Sequence, residues 1–224
     1  MRNFKKTLSF LLSTVIIVSS VAGVGTTAFA ATDEHTYKNF KYRILDDNTA
    51  EICGYTGKNA VVTVPDSIDS KPVTSIGRTA FYSGKIKEVT IPDTVKNIKW
   101  WAFYGCESLE KINLNFGLKT VGYGAFMNCK NLKSVSIPMS VTQICDDSFA
   151  VSCSTKKGVF DTYSKQTIST QQYSTDSSFT LEGYSGTVAE KYCNDNSLNF
   201  VSSGNVIYGD VNNNGTVDAA DATF

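Results

Sequence analysis

The chain has 224 residues, with 21 lysines and arginines, 21 aspartates and glutamates, and one histidine. This balance gives a net charge of zero and leaves no basic surplus for binding a nucleic acid. The length suffices for one domain with a sizeable core, followed by a tail.

The N-terminus has the features of a secretory signal peptide over residues 1–31. Three basic residues stand among the first six, an apolar run follows, and Ala28-Phe29-Ala30 has the small residues expected before a cleavage site. A membrane anchor is the alternative, but the apolar run is short and is interrupted by serines and threonines. We therefore predict a secreted, extracellular protein with no membrane span after cleavage. Its net charge would be near −3, from 18 basic and 21 acidic residues.

Residues 32–72 are predicted to form a linker and an N-terminal cap. Tyr42–Leu45 and Thr49–Ile52 have the composition of two strands, and the Asp-Asp-Asn sequence between them favours a turn, so a hairpin is expected. A further strand is predicted at Val61–Val64. These elements would cover the open start of the repeats that follow.

Residues 73–150 repeat one apolar pattern. A Val-x-x-Ile sequence followed by Ala-Phe begins at Val73 and returns after 22, 23 and 23 residues. Between the copies lie period-2 segments that predict short strands: Val89/Ile91, Ile112/Leu114 and Val135/Ile137. A period in this range is typical of a leucine-rich solenoid. Because one coil cannot have a core of its own, stacking would bury the apolar positions, including Phe103 and Phe126.

Residues 151–201 are predicted to hold an irregular insertion and a C-terminal cap. The segment from 151 to 178 is rich in serine, threonine, glutamine and lysine, which favours a long loop. A strand is then predicted at Phe179–Tyr184, a short helix at Thr187–Asn196, and a returning strand at residues 200–201.

The stretch from Val121 to Pro138 follows the pattern I-x-x-x-AF-x-x-C-x-x-L-x-x-V-x-I-P almost completely. It resembles the BspA-type leucine-rich repeat family of bacterial surface proteins. Earlier copies depart from the pattern, with Gly84 in place of the cysteine and Asn115 in place of the proline. The resemblance implies a mostly β (α+β) right-handed solenoid with short strands, capped at both ends.

One repeat position carries large polar and aromatic side chains. Arg78, Trp100 and Tyr123 share that position, and Trp101 lies beside it. An aligned strip of this composition is a candidate surface for binding a protein or a polysaccharide. Tyr82 and Tyr104 share another position, where exposure and packing between coils are equally open.

Residues 202–224 are predicted to form a linker and a truncated EF-hand-like calcium loop. A twelve-residue stretch places oxygen donors at calcium-ligand spacing: Asp210, Asn212, Asn214, Thr216 (backbone carbonyl), Asp218 and Asp221. Gly215 falls where such a loop turns sharply. Calcium is therefore the predicted cofactor, and a polar tail that binds no metal is the alternative.

The same stretch resembles the first half of a type I dockerin repeat, a module that attaches cellulosomal proteins to cohesins on a scaffoldin. The resemblance implies calcium binding and a cohesin partner. In that family, loop positions 10 and 11 recognise the cohesin, and Ala219 and Ala220 stand there in this chain. The pattern stops at Phe224, before the helix and second loop of the family, so we expect an incomplete repeat.

Catalytic patterns do not emerge from the sequence. The single histidine, His35, lies in the predicted linker, and neither a carboxylate pair nor a glycine-rich phosphate loop stands out. Cys106 and Cys129 occupy the same position of successive repeats, which is typical of small core residues, although a bridge between neighbouring coils stays open. Most of the six cysteines are expected to be free thiols.

Three functional hypotheses remain. The first is a secreted, non-catalytic binding module that its calcium loop attaches to a cellulosome-like complex for polysaccharide degradation. The second is a free or cell-surface adhesin that binds a host or matrix protein. The third is an accessory region of a polysaccharide-degrading enzyme whose catalytic part lies outside this sequence.

Overall fold

The computed structural model of the protein describes residues 34–149, 152–161, 166–174 and 178–205. Between residues 152 and 174, the description is confined to backbone pairing. The predicted signal peptide (1–31) and calcium loop (210–221, with Ala219 and Ala220) lie outside the described residues and stay predictions. Within the described ranges, no helix is both long enough and apolar enough to cross a bilayer.

The described elements are short strands and one helix. The first part of the chain contains β1 (His35–Tyr37), β2 (Phe40–Ile44), β3 (Ala50–Tyr55), β4 (Val61–Thr63), β5 (Ser67–Ile68), β6 (Lys71–Ile76), β7 (Glu88–Thr90) and β8 (Asn97–Ile98). The second part contains β9 (Lys111–Asn113), β10 (Thr120–Val121), β11 (Ser134–Ser136), β12 (Gln143–Ile144), β13 (Ser152–Asp161), β14 (Gln166–Ser174), β15 (Thr180–Ser185), α1 (Val188–Asn196) and β16 (Asn199–Asn205).

Successive coils pair in parallel along one face of the solenoid. The sheet has the order β1-β2-β3-β6-β8-β10-β12, and the pairs from β3 onward are parallel. Its register places equivalent repeat residues side by side, as in Ile76 opposite Ile98, and both are fully buried. The predicted hairpin is formed by β2 and β3, and it covers the start of the repeats. The repeat architecture predicted from the period is therefore confirmed.

A second set of parallel strands forms another face. Strands β4, β7 and β9 pair in register, and β11, β15 and β16 form a further parallel sheet. The inward residue of each three-residue strand is buried, as the alternation predicted for Val89, Ile112 and Val135 requires. Both faces thus supply aliphatic side chains to one continuous core.

Stacked aromatic rings run through this core. Phe81, Phe103, Phe126, Phe149 and Phe179 form a column with successive centroids 4.8, 5.2, 5.3 and 5.3 Å apart. Tyr55 continues the column beyond Phe81 at 5.5 Å, and Tyr192 meets Phe149, the ring before the last, edge-on at 5.9 Å. Small alanines beside these rings are buried as well, which lets the coils approach closely. The prediction that Phe103 and Phe126 are core residues is confirmed.

The insertion differs from the irregular loop that composition suggests. Strands β13 and β14 pair in antiparallel fashion from Ser152 opposite Ser174 to Asp161 opposite Gln166. The β-branched residues of the segment, threonine among them, and its aromatic residues favour strands. Its polar content leaves no simple alternation of apolar and polar residues. The hairpin departs after Phe149, and the chain rejoins the column at Phe179.

The C-terminal cap follows the sequence prediction closely. Helix α1 spans Val188–Asn196 with Thr187 at its N-cap, and it buries Ala189, Tyr192 and Cys193. Strand β16 then returns parallel to β15. An apolar helix face therefore covers the last coil, as the end of a stacked core requires.

Candidate ligand-binding surface

The residues of the predicted strip lie in the turns that follow the first sheet. We define the aromatic face as Arg78, Trp100, Trp101 and Tyr123. Strands β6, β8 and β10 hold the backbone of these turns at fixed spacing, and the carbonyl of Tyr123 accepts a hydrogen bond of 3.1 Å from the backbone N–H of Trp101. The face is thus supported by the sheet and not by a long loop.

Three of these side chains contact one another in a row. The guanidinium of Arg78 lies over the ring of Trp101, with the carbon atom 4.8 Å from the centroid. The rings of Trp101 and Tyr123 meet edge-to-face at 6.3 Å. Tyr123 in turn hydrogen-bonds the carboxyl group of Asp147. Burial raises the pKa of this carboxyl group, and the hydrogen bond offsets part of that rise. The row therefore crosses four coils.

Trp100 shares a repeat position with Arg78 and Tyr123, but in the structure it lies outside their row. Its side chain is 59% exposed, and among the described residues it takes no part in these ring contacts. Trp101, its neighbour, instead stands between Arg78 and Tyr123 and is half-buried. The face therefore consists of a packed row with one open indole beside it.

Trp101 has a backbone conformation that bulky residues rarely adopt. Its φ is 55°, in the left-handed region, and the same turn position in the other coils holds Thr79, Gly124 and Asp147 with φ between 54° and 57°. A side chain added at Gly124 would lie 2.7 Å from Cδ1 of the Trp101 indole. The next coil thus leaves space for the indole, while the tryptophan itself carries a backbone cost of about 1–3 kcal/mol.

A buried carboxylate lies next to the Arg78 end of the face. Glu51 is 1% exposed, and its Oε1 is 2.5 Å from Nη2 of Arg43, while the ammonium of Lys99 contacts its other oxygen. A side chain at Gly77 would lie 2.9 Å from that Oε1, so glycine makes room for the carboxylate. A cavity of about 140 Å³ opens here, lined by Glu34, Arg43, Glu51, Cys53 and Arg78.

This charged cluster was not predicted from the sequence. Glu51 follows buried Ala50 and precedes buried Ile52, so three consecutive residues point away from solvent. The pairing of β3 with β6 shifts register between Ala50 and Glu51, which breaks the alternation of a regular strand. A charged residue flanked by two apolar residues at the first coil was the only available signal.

Residues 62–180 match the family described as the BspA type leucine rich repeat region, in six copies. The chain belongs to this family.

Several solved structures of leucine-rich repeat proteins are similar to this BspA-type chain. A protein from Bacteroides capillosus is 31% identical, with 50% of this chain and 88% of that chain covered and a TM-score of 0.49. The T. pallidum leucine-rich repeat protein is 29% identical, with coverages of 52% and 66% and a TM-score of 0.44. A leucine-rich cell surface protein from Faecalibacterium prausnitzii is 26% identical, with coverages of 69% and 46% and a TM-score of 0.46. Comparison with the curated proteins gave no match.

The cysteines of the BspA-type repeat are core groups. Five cysteines within the described side chains are unpaired, and Cys106 and Cys129 are buried one above the other. The Sγ of Cys106 donates to the carbonyl of Phe81 at 2.9 Å, and that of Cys129 donates to the carbonyl of Phe103 at 3.2 Å. The neighbouring thiol and burial raise the pKa of Cys129 well above its usual value. The hydrogen bond from Cys129 lowers the pKa of Cys106, and both thiols bond the phenylalanine carbonyl of the preceding coil.

The second aromatic position of the repeats is both packed and open. Tyr82 and Tyr104 stack with centroids 5.4 Å apart and planes 6° from parallel, and Tyr82 remains 57% exposed. The amide nitrogen of Asn128, in the next coil, donates to the Tyr104 hydroxyl at 3.2 Å.

His35, the sole histidine, is exposed on β1 with its ring 5.3 Å from that of Tyr42.

Substitutions at Trp101 test whether its turn is left-handed. We expect Trp101→Gly to be about 1 kcal/mol more stable than Trp101→Ala, because both delete the indole but only glycine adopts this φ without strain. Urea denaturation of both variants measures the difference. Equal stabilities would contradict the left-handed conformation, and the same pair of substitutions at Trp100 is the control, since no positive φ occurs there.

Proposed function

We propose that the chain is a secreted, non-catalytic binding module whose aromatic face takes a polysaccharide or a protein. The observation that carries the proposal is Trp101, a bulky side chain held half-exposed in a strained turn. The hydrophobic core does not require a tryptophan there, because the equivalent residues of other coils are small or polar. Strain that packing does not explain is typical of functional positions.

The fold favours binding over chemistry. Stacked repeats form extended, rigid surfaces, and exposed tryptophan, tyrosine and arginine are the residues that dominate recognition energies. The sole histidine lies at the N-terminal strand, while the aromatic face lies on later coils.

Binding assays with the full-length chain test the proposal. We expect Trp100→Ala to weaken binding at least about tenfold, because an exposed indole at an interface is a frequent hot spot. The probes are xylan, cellulose and polygalacturonate as polysaccharides and collagen as a protein, in affinity electrophoresis and on coated surfaces. Phe116→Ala is the matched control, since Phe116 is 64% exposed but lies between β9 and β10, not in a turn that follows β6, β8 or β10.

Two outcomes would contradict the proposal. One is that none of these probes binds the unaltered chain. The other is that Trp100→Ala and Phe116→Ala weaken binding equally, which would mean that exposed aromatic residues contribute without a defined face.

We also propose that the C-terminal loop attaches the module to a cohesin of a cellulosome-like complex. The support is the spacing of oxygen donors from Asp210 to Asp221 and the likeness to half of a dockerin repeat. Titration calorimetry with calcium should give binding that Asp210→Ala and Asp221→Ala remove, followed by calcium-dependent retention on an immobilised cohesin. Retention that chelation leaves unchanged would contradict the attachment.

A further inference from the structure

The aromatic face has charges of opposite sign at its two ends. The first end combines four cations and two carboxylates, a surplus of two positive charges: Lys41, Arg43, Arg78, Lys99, Glu34 and Glu51. The last end holds Asp146, which is exposed, and Asp147, which is bonded to Tyr123. A ligand that lies along the face therefore meets a cationic site at one end and acceptors at the other.

Arg78 is the cation of the cluster that neither Glu34 nor Glu51 pairs with. Glu51 already has Arg43 and Lys99 on its two oxygens, and Glu34 is 3.1 Å from the Lys41 ammonium. Among the described residues, Arg78 forms no ion pair, and its guanidinium lies over the Trp101 ring. A guanidinium in this position keeps an N–H edge able to donate two parallel hydrogen bonds to a carboxylate.

The cavity beside Arg78 fits one small group. Its volume of about 140 Å³ lies well below the 300 Å³ or more of sites that enclose a whole small molecule. Glu34 and Glu51 line its interior, so an acidic group fits at its Arg78 edge, while the rest of the ligand lies against the open indole of Trp100 and the row of Trp101 and Tyr123. The site thus suits an extended ligand with an acid at one end.

We infer that the ligand of this face is an acidic saccharide, with its carboxylate on Arg78 and a sugar ring against the tryptophans. The inference rests on the proposed function and names its ligand class. A pyranose presents a flat C–H face to an indole and hydroxyl donors to Asp146. An acidic peptide fits less well, because its further carboxylates would approach Asp146 and Asp147.

Matched oligosaccharides test this inference on the full-length chain. Trigalacturonate is expected to bind at least about tenfold more tightly than its methyl ester, since loss of a hydrogen bond between charged groups weakens affinity by about this factor. Arg78→Gln should abolish that difference, whereas Lys191→Gln, which removes an exposed cation on helix α1, should preserve it. Calorimetry at low and moderate salt measures both, with triglutamate as the acidic peptide.

The outcomes separate the two proposals. Equal binding of the acid and the ester, both weakened by Trp100→Ala, would overturn the acidic ligand and leave the binding face intact. Triglutamate that binds as tightly as trigalacturonate through Arg78 would overturn the saccharide in favour of a peptide. Binding of the acid that neither Trp100→Ala nor Arg78→Gln alters would overturn both.

Discussion

Phe126→Ala is expected to lower the free energy of unfolding by about 3–5 kcal/mol. The side chain is 2% exposed and stacks between Phe103 at 5.2 Å and Phe149 at 5.3 Å. Its removal deletes ring contacts on both faces and leaves a cavity that the fixed spacing of the coils cannot close. Since the ladder bonds set that spacing, relaxation recovers little of the loss.

Urea denaturation followed by circular dichroism measures this change, and Phe116→Ala is its control. Phe116 is 64% exposed, so its truncation should alter stability by less than about 0.5 kcal/mol. A cost below about 1 kcal/mol for Phe126→Ala would refute the stacked column. In a repeat protein the coils stabilise their neighbours, so a second transition in the variant alone would indicate that the column had been divided at this ring.

The core could be predicted from the sequence because one physical requirement recurs in each coil. Ala102-Phe103 and Ala125-Phe126 return at the repeat period, and stacking leaves only one way to bury them together. The caps were also predictable, since an apolar face on α1 has to cover the last coil. Periodicity therefore determined both the fold and its ends.

The face was predicted only in part, for a conformational reason. Shared repeat position aligned Trp100 with Arg78 and Tyr123, yet Trp101 stands between them in the structure. Trp101 is itself the left-handed residue of its turn, and sequence spacing does not indicate that this position, and not the one before it, supplies the ring of the row. The neighbouring Gly124, at the equivalent position, was the signal that such a turn existed.

The insertion and the charged cluster escaped prediction for related reasons. A hairpin of polar residues has no apolar alternation, so β13 and β14 resemble a loop in composition. Glu51 is buried at a register shift, where the rule of alternation does not hold. Both depend on pairing between distant parts of the chain.

Glu51→Ala is expected to cost about 2–3 kcal/mol in unfolding free energy. The carboxylate is 1% exposed and neutralises Arg43 and Lys99, so its removal leaves two cations facing each other at the first coil. Breaking a fully buried pair costs about 3–5 kcal/mol, but Arg43 and Lys99 are 34% and 40% exposed and can regain water. Glu51→Gln keeps the shape and one hydrogen bond, and should cost less.

Salt distinguishes this buried cluster from the surface pairs between coils. Glu88 pairs with Lys111 at 3.1 Å on the surface. Glu88→Ala should therefore change the free energy of unfolding far less than Glu51→Ala does, and 1 M salt should remove the contribution of this ion pair. The Glu51→Ala difference should largely persist in 1 M salt, because Glu51 is 1% exposed and salt screens buried charge pairs much less than exposed ones. If salt removes both differences equally, Glu51 is accessible to solvent ions. The first coil would then be held by its apolar contacts alone, and the cation surplus beside Arg78 would be screened like any surface charge.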